Sequence, residues 1–249
     1  MNAFRYLSTF AALSVMLLSA CSAPPGRPGK DSESLVPSEI SDFKTLYAEN
    51  CAACHGAEGR GGAAIALADP VYLAVAEESS MRKTIANGVR GTSMPAFAQS
   101  VGGTLTDKQI DEITSEVRSH WGRPGILDGA NPPSYRAKAS GDVERGEASY
   151  RTYCSTCHGP EGQGGAKGSA ITNDSFLALV SDQGLRTMII AGRPELGAPD
   201  WRGNTKGKPM SEQEISDVVA WLASHRVQSP GRPYPPADNT QLQELKHGH

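Results

Sequence analysis

The sequence predicts an all-α chain made of two copies of one small helical domain. Three observations predict it. First, the segment from His55 to Ala63 returns as His158 to Ala166, Met81–Ile85 returns as Leu185–Ile189, and Leu105–Ile110 returns as Met210–Ile215. A period of roughly 100 residues is a duplicated domain and far too long for a solenoid unit. Second, apolar residues recur at helical spacing: Ile40, Phe43 and Tyr47 in one copy and Val143, Gly146 and Tyr150 in the other. The closing segments carry Ile110, Ile113 and Val117, and then Ile215, Val218 and Leu222. Third, glycine runs follow His55 and His158 in both copies, which argues for loops and against strands.

Taken in order, the chain opens on a targeting signal. Arg5 precedes an apolar run from Leu7 to Leu18, a length that fits a signal-peptide core better than a membrane span. The run ends in Leu18-Ser19-Ala20-Cys21, which resembles a bacterial lipobox. That resemblance implies a lipoprotein signal peptide over 1–20, a lipid on Cys21, and export to a membrane face looking into the periplasm or cell exterior. An ordinary signal peptide cut after Ala20 is the other reading. Residues 21–37 are rich in Pro, Gly and Ser and form a tether with an end-to-end distance of about 20 Å. The first domain is expected over 38–125, a linker containing Pro132-Pro133 over 126–139, and the second domain over 140–228. Thr106 and Ser211 are expected N-caps of the closing helices. Residues 229–249 are a Pro-rich and polar tail.

The charge of −3 over 249 residues is spread along the chain and gives no basic patch for nucleic acid. Cysteine usage is more informative. Four of the five cysteines lie in Cys51-Ala52-Ala53-Cys54-His55 and Cys154-Ser155-Thr156-Cys157-His158, and the fifth is Cys21. Cys-x-x-Cys-His is the attachment pattern of a c-type haem: two thiols one helical turn apart meet two vinyl groups, and the histidine reaches the iron. Two such cysteine pairs can also make a Cys₄ zinc site. The adjacent histidines, the wide separation of the pairs and the export signal favour haem. Two haem c groups are therefore expected, on Cys51 and Cys54 and on Cys154 and Cys157. A buried macrocycle also supplies apolar area to domains in which aromatic residues are only 6% of the chain.

The order of helix, pentad, glycine-rich loop, short helices, proline loop and final helix resembles class I cytochrome c over 38–125 and again over 140–228. The resemblance implies two tandem helical bundles, each around a covalent haem, with His55 and His158 as proximal iron ligands. It also implies a methionine on the far side of each iron, in a loop before the last helix. The first copy supplies Met94 in Ser93-Met94-Pro95. In the second copy Ala198 stands at the matching position, before Pro199. Met210 is the candidate there, beside an open iron and ligation by Met188, Lys206 or Lys208. The family also crosses its first and last helices at a small residue facing an aromatic. Gly146 and Trp221 fit that pattern, whereas the first copy has Phe43 and Glu116 and is expected to fill the crossing by a swap of volume. His120 and His225 close the last helices, where the helix dipole accounts for them.

No nucleophile–base pair, paired-carboxylate motif or phosphate loop accompanies the pentads. The sequence thus points to a membrane-tethered electron carrier. Its expected partners are a quinol-oxidising complex or a dehydrogenase as donor and a terminal oxidase as acceptor. Two other readings remain open. One is a permanent subunit of a larger oxidoreductase; the other is a peroxidase-like or sulfur-compound-oxidising enzyme using an open second iron.

Overall fold

The computed structural model describes residues 36–227, so the signal peptide, Cys21, most of the tether and the tail with His247 and His249 lie outside the described residues. The chain divides into two compact units, Met1–Ile40 and Ser41–His249. Within the first, the described residues form one 3-10 turn, Pro37–Glu39.

In the described residues of the second unit the regular elements are helices. In its first repeat run α1 (Phe43–Asn50), α2 (Ala52–His55), α3 (Pro70–Val75), α4 (Glu78–Asn87) and α5 (Asp107–Trp121). The second repeat follows with α6 (Val143–Tyr153), α7 (Ser155–His158), α8 (Asp174–Leu179), α9 (Asp182–Ala191) and α10 (Glu212–Ser224). Among the described residues no strand forms; only isolated bridges join Ala98 to Leu105 and Arg193 to Ala198.

Each repeat starts and ends its helices with the same chemistry. Asp42 caps α1 by accepting from the Thr45 N–H at 2.8 Å, and Asp142 caps α6 by accepting from the Arg145 N–H at 2.9 Å. The expected caps on the closing helices are both full capping boxes, Thr106 with Gln109 and Ser211 with Glu214. The closing helices then bury their stripes: Ile110, Ile113, Val117, Ile215, Val218 and Leu222 are all buried. Each such side chain contributes about 1.5–3 kcal/mol relative to exposure. On the opening helices the stripe is narrower than the spacing predicts. Tyr47, Gly146 and Tyr150 are buried, but Val143 is exposed, one turn short of the crossing.

The two helix crossings differ. At Gly146 the backbone of α6 lies so close to α10 that a Cβ there would sit 2.1 Å from the Asp217 carbonyl oxygen and 2.7 Å from Trp221 Cβ. This is the close approach expected of a small residue facing an aromatic, and Trp221 stacks on Tyr150 at 4.1 Å. In the first repeat Phe43 carries the bulk on the opening helix, as expected. Its aromatic partners are His120 and Trp121, at 5.9 and 5.8 Å, with Trp121 also edge-on to Tyr47 at 5.1 Å. The tryptophan has thus moved further along the closing helix, and Phe43 is only half-buried.

A buried carboxylate reinforces the second crossing. Asp217 on α10 accepts from Arg145 Nε at 2.9 Å and Nη2 at 3.0 Å, from the Asp142 N–H at 2.8 Å and from Gln213 Nε2 at 2.8 Å. Burial works against the charge, yet these bonds outweigh it and hold the carboxyl below its ordinary pKa. The linker is pinned as well. Arg186, buried on α9, donates to the carbonyls of Ser134 and Tyr135 and pairs with Glu212 at 2.5 Å. Its counterpart Arg82 pairs with Asp107 and Asp111 at the surface.

Gly146→Ala has no room for its methyl group against backbone and should cost about 1–3 kcal/mol, read by thermal unfolding. Asp217 has its folded pKa below the unfolded one, so its stabilisation is present above the ordinary carboxylate range and is lost as pH falls through the folded value. Acidification below about pH 4 should therefore erode the native protein more steeply than Asp217→Asn, in thermal unfolding measured against pH.

Candidate haem c sites

Both pentads are built as one continued turn. The Cys51 N–H donates to the Tyr47 carbonyl at 2.9 Å, and the N–H groups of Cys54 and His55 both donate to Cys51 O, at 3.2 and 3.0 Å. In the second repeat Cys154 donates to Tyr150 O at 2.8 Å, while Cys157 and His158 donate to Cys154 O at 3.1 and 3.0 Å. Thiols three residues apart on a helical turn share a face. Cys54 and Cys157 are exposed, Cys51 and Cys154 half-buried, and none of the four is in a disulfide. Burial, with the neighbouring cysteine, pushes the Cys51 thiol up to about 11 and the Cys154 thiol up to about 12. The two pairs do not meet, as a Cys₄ zinc site would require: among the described residues no three His, Cys, Asp or Glu side chains gather into a metal site. Thiols side by side on one turn, with a histidine next to them, suit a haem.

Each histidine is oriented by the backbone of the loop that follows it. His55 Nδ1 lies 2.9 Å from the Ile65 carbonyl oxygen, and His158 Nδ1 lies 2.7 Å from that of Ser169. A carbonyl can only accept, so Nδ1 carries the proton in both rings. That leaves Nε2 with its lone pair for iron, which is the usual way a second partner fixes a ligating imidazole. Burial, assisted by the nearby charge of Arg193, holds His55 below its ordinary pKa and so keeps it neutral. The end of each turn is bolted by a tyrosine: Tyr47 Oη donates to Gly56 O at 2.8 Å, and Tyr150 Oη to Gly159 O at 2.5 Å. His55 is buried at 8% exposure, whereas His158 is less covered.

The two loops before the closing helices correspond residue for residue in their first half. α4 ends at Gly88, φ +64°, where a Cβ would meet the Met94 carbonyl oxygen at 2.7 Å; α9 ends at Gly192, φ +73°, where it would meet that of Ala198 at 2.7 Å. The Val89 N–H donates to Met94 O at 3.0 Å, and the Arg193 N–H to Ala198 O at 2.9 Å. Ala198 therefore stands where Met94 stands, and the loops match in length from Gly88 to Phe97 and from Gly192 to Trp201, after which the second is one residue longer. Beyond them, the Leu105 N–H donates to Phe97 O at 2.8 Å and the Met210 N–H to Trp201 O at 2.9 Å. Met210 thus takes the place of Leu105, and both are buried. Its sulfur lies 3.7 Å from the Asn204 amide nitrogen, which donates to it. Met188 is on α9, on the side turned to the first repeat, in a cleft with Ile65 and Tyr72.

Of the remaining histidines, His120 packs on Phe43 and Trp121, and His225 Nδ1 donates to Trp221 O at 2.8 Å. Both act within their helix ends. Sequence reasoning passed over Arg186, Arg193 and Asp217, which tie segments together across the chain. Their only signal in the sequence was the alignment of Arg82 with Arg186.

Comparison with known proteins agrees with this construction. The family model for cytochrome C oxidase, cbb3-type, subunit III, matches residues 38–115 and 141–222, one match per repeat. The cbb3-type cytochrome c oxidase subunit CcoP of Azospirillum sp. (strain B510) is 33% identical over 171 residues, covering 64% of this chain and 49% of that protein. The cytochrome bc1 complex cytochrome c subunit of Mycobacterium tuberculosis (strain ATCC 25618 / H37Rv) is 25% identical over 182 residues, covering 72% of this chain and 61% of that one. The chain spans about half the length of the first of these relatives. Among solved structures, a chain of a Kuenenia stuttgartiensis reducing HAO-like protein complex aligns with a TM-score of 0.42 at 18% identity, covering 77% of this chain and 99% of that chain. With a complete pentad in each of two matched repeats, the chain is a tandem c-type cytochrome with two haem c groups, and it belongs to the family of cytochrome C oxidase, cbb3-type, subunit III.

Proposed function

We propose that this chain is an electron-transfer cytochrome in which two haems, one per repeat, pass electrons between a respiratory donor and an oxidising acceptor. The observation that carries the reading is the duplicated proximal arrangement: two thiols on one turn and an imidazole whose Nδ1 proton is given to a loop carbonyl. When bound, the haem supplies one-electron chemistry at iron. The residues Cys51, Cys54, Cys154 and Cys157 attach it, and His55 and His158 hold the iron from the proximal side. The chain's own part is then to fix the macrocycle, exclude water and set the potential.

The proposed donors are a quinol-oxidising complex or a dehydrogenase, and the proposed acceptor is a terminal oxidase. The relatives named for an oxidase and for a bc1 complex support this setting, and they equally suit a chain that works as a subunit of such an assembly. Among the described residues no helix is long and apolar enough to cross a membrane. A lipid on Cys21 would supply the attachment, through the 21–37 tether, on the periplasmic or outer face. Met94 is proposed as the sixth ligand of the first iron and Met210 as that of the second. A thioether there favours ferrous iron and raises the potential.

A second reading is favoured by Ala198 standing in the place of Met94 while Met210 fills the place of Leu105. In it the second iron is open, and the second repeat acts on a small ligand, as a peroxidase or an oxidase of sulfur compounds does. Carbon monoxide added to the reduced protein separates the two readings. Two methionine-ligated irons leave it unbound; an open second iron takes it up with about half of the haem absorbance. Met210→Leu refines the result, because leucine already fills the equivalent slot in the first repeat and the fold is kept. Gain of carbon monoxide binding in that variant alone assigns Met210 to the iron.

Two further outcomes are expected in a redox titration followed by absorption. Met94→Ala should abolish the methionine–iron charge-transfer band of the first haem and lower its potential. Ala198→Met should place a thioether at the corresponding point of the second loop and, if the iron there was open, add a band and suppress carbon monoxide binding.

A further inference from the structure

The two repeats touch on the proximal side of the first haem site. Helix α9 of the second repeat packs on α3 of the first. Ile65, Asp69 and Tyr72 face Met188, Ala191 and Gly192 across a small cleft. At its edge the side chain of Arg193, only 15% exposed, reaches out of the second repeat and donates from Nη2 to the Gly62 carbonyl at 3.1 Å. Its Nε is held at 2.5 Å by Glu195, itself largely covered. Gly62 belongs to the loop that supplies the carbonyl partner of His55, and that loop is fastened to the pentad by the Ala64 N–H, which donates to Cys54 O at 2.9 Å. On its own side the Arg193 backbone exchanges two hydrogen bonds with Ala198, at 2.9 and 3.0 Å. One residue therefore grips the loop that aims His55 and, through its backbone, the loop position that corresponds to Met94.

We infer that Arg193 is a positioning residue of the first haem supplied by the second repeat, and that its contact with Gly62 fixes the two haem sites relative to each other. The inference rests on the haem reading above. A guanidinium donating to a carbonyl in a largely covered place is a charge-assisted bond, stronger than a neutral one. The side chains of the Arg193–Glu195 pair are largely covered, so its charges are screened less than those of a fully solvated pair. A cation near the proximal ring disfavours the ferric state, which carries the extra positive charge, and raises the potential; an unpaired anion does the reverse. The position has no counterpart in the first repeat, where Val89 occupies it and the side chain is apolar.

The test uses the full chain with both haems attached, comparing wild type, Arg193→Ala, Arg193→Lys and Glu195→Gln. Spectroelectrochemical titration reads the potentials, and amide exchange at Ala64 reads the fastening of the loop. Arg193→Ala should lower the potential of the first haem and speed exchange at Ala64 roughly tenfold, the factor expected for loss of a hydrogen bond to a charged donor. Arg193→Lys should retain the potential but not the protection, since one ammonium cannot serve Glu195 and Gly62 in the guanidinium's geometry. Glu195→Gln should shift the potential upward. Shifts of opposite sign from the two charge deletions are not what a purely structural defect produces. Unchanged exchange at Met210, whose N–H is bonded to Trp201 O, certifies that the second repeat is intact. If Arg193→Ala keeps two haems, the wild-type potential and the wild-type exchange at Ala64, the inference is overturned while the haem reading stands. A wild-type chain lacking two redox-active haems would instead remove the reading on which it rests.

Discussion

The bond from each histidine Nδ1 to a loop carbonyl is the constraint around which the rest is arranged. It demands that a chain segment roughly ten residues on return beneath the pentad with a carbonyl aimed at the ring. Such a return is possible only through tight turns, which explains why glycine follows each histidine so densely. It also demands that the pentad itself be held still. A tyrosine two turns earlier does this by donating to the carbonyl just past the histidine, so that the opening helix and the haem-bearing turn move as one. The closing helix then presses on that tyrosine through a tryptophan, Trp121 in one repeat and Trp221 in the other. Haem attachment, loop return and helix crossing are one mechanical unit.

Within this shared plan the repeats have diverged in how they hold themselves together. The first relies on an aromatic cluster at an open crossing. The second uses close backbone approach at Gly146 and a buried, fully bonded carboxylate at Asp217. A buried charge of this kind is weak evidence of added stability, because its desolvation offsets much of what its partners return. Its geometry is nonetheless specific: only one register of α6 on α10 lets Arg145 meet Asp217 with both nitrogens. The Arg186–Glu212 pair acts likewise, with Arg186 buried where its counterpart Arg82 is half-exposed. The difference is that in the second repeat the linker is laid across it. The second repeat is therefore also the clamp for the segment that connects it to the first.

Much of the fold was legible in the sequence because the signals were local or repeated. Capping boxes lie within four residues, the apolar stripes within one helix, and the pentads within five residues. That Met94 lies in a loop before α5 was readable from the proline after it and the helix that comes next. What was not legible depended on pairs distant in the chain. Nothing in the neighbourhood of Asp217 announces a partner at Arg145, and nothing near Arg193 announces Gly62. Val143 shows the converse failure: it has helical spacing and an apolar side chain, but it lies one turn before the helices converge and remains in solvent. The tryptophan that serves the first crossing was missed for a similar reason. Alignment placed Glu116 opposite Phe43, whereas a side chain as long as tryptophan reaches the same space from Trp121, more than a turn away.

The inequality of the two sites can be stated in terms of what surrounds each iron position. The first has a covered histidine, a methionine loop and a neighbour's guanidinium against its proximal segment. The second has a more exposed histidine and an alanine at the loop position where the first repeat has methionine. The repeats thus surround their two sites differently through substitutions at single positions of an otherwise shared scaffold: the cover over the histidine, the residue at the loop position of Met94 and Ala198, and the guanidinium that Arg193 brings to the first site alone.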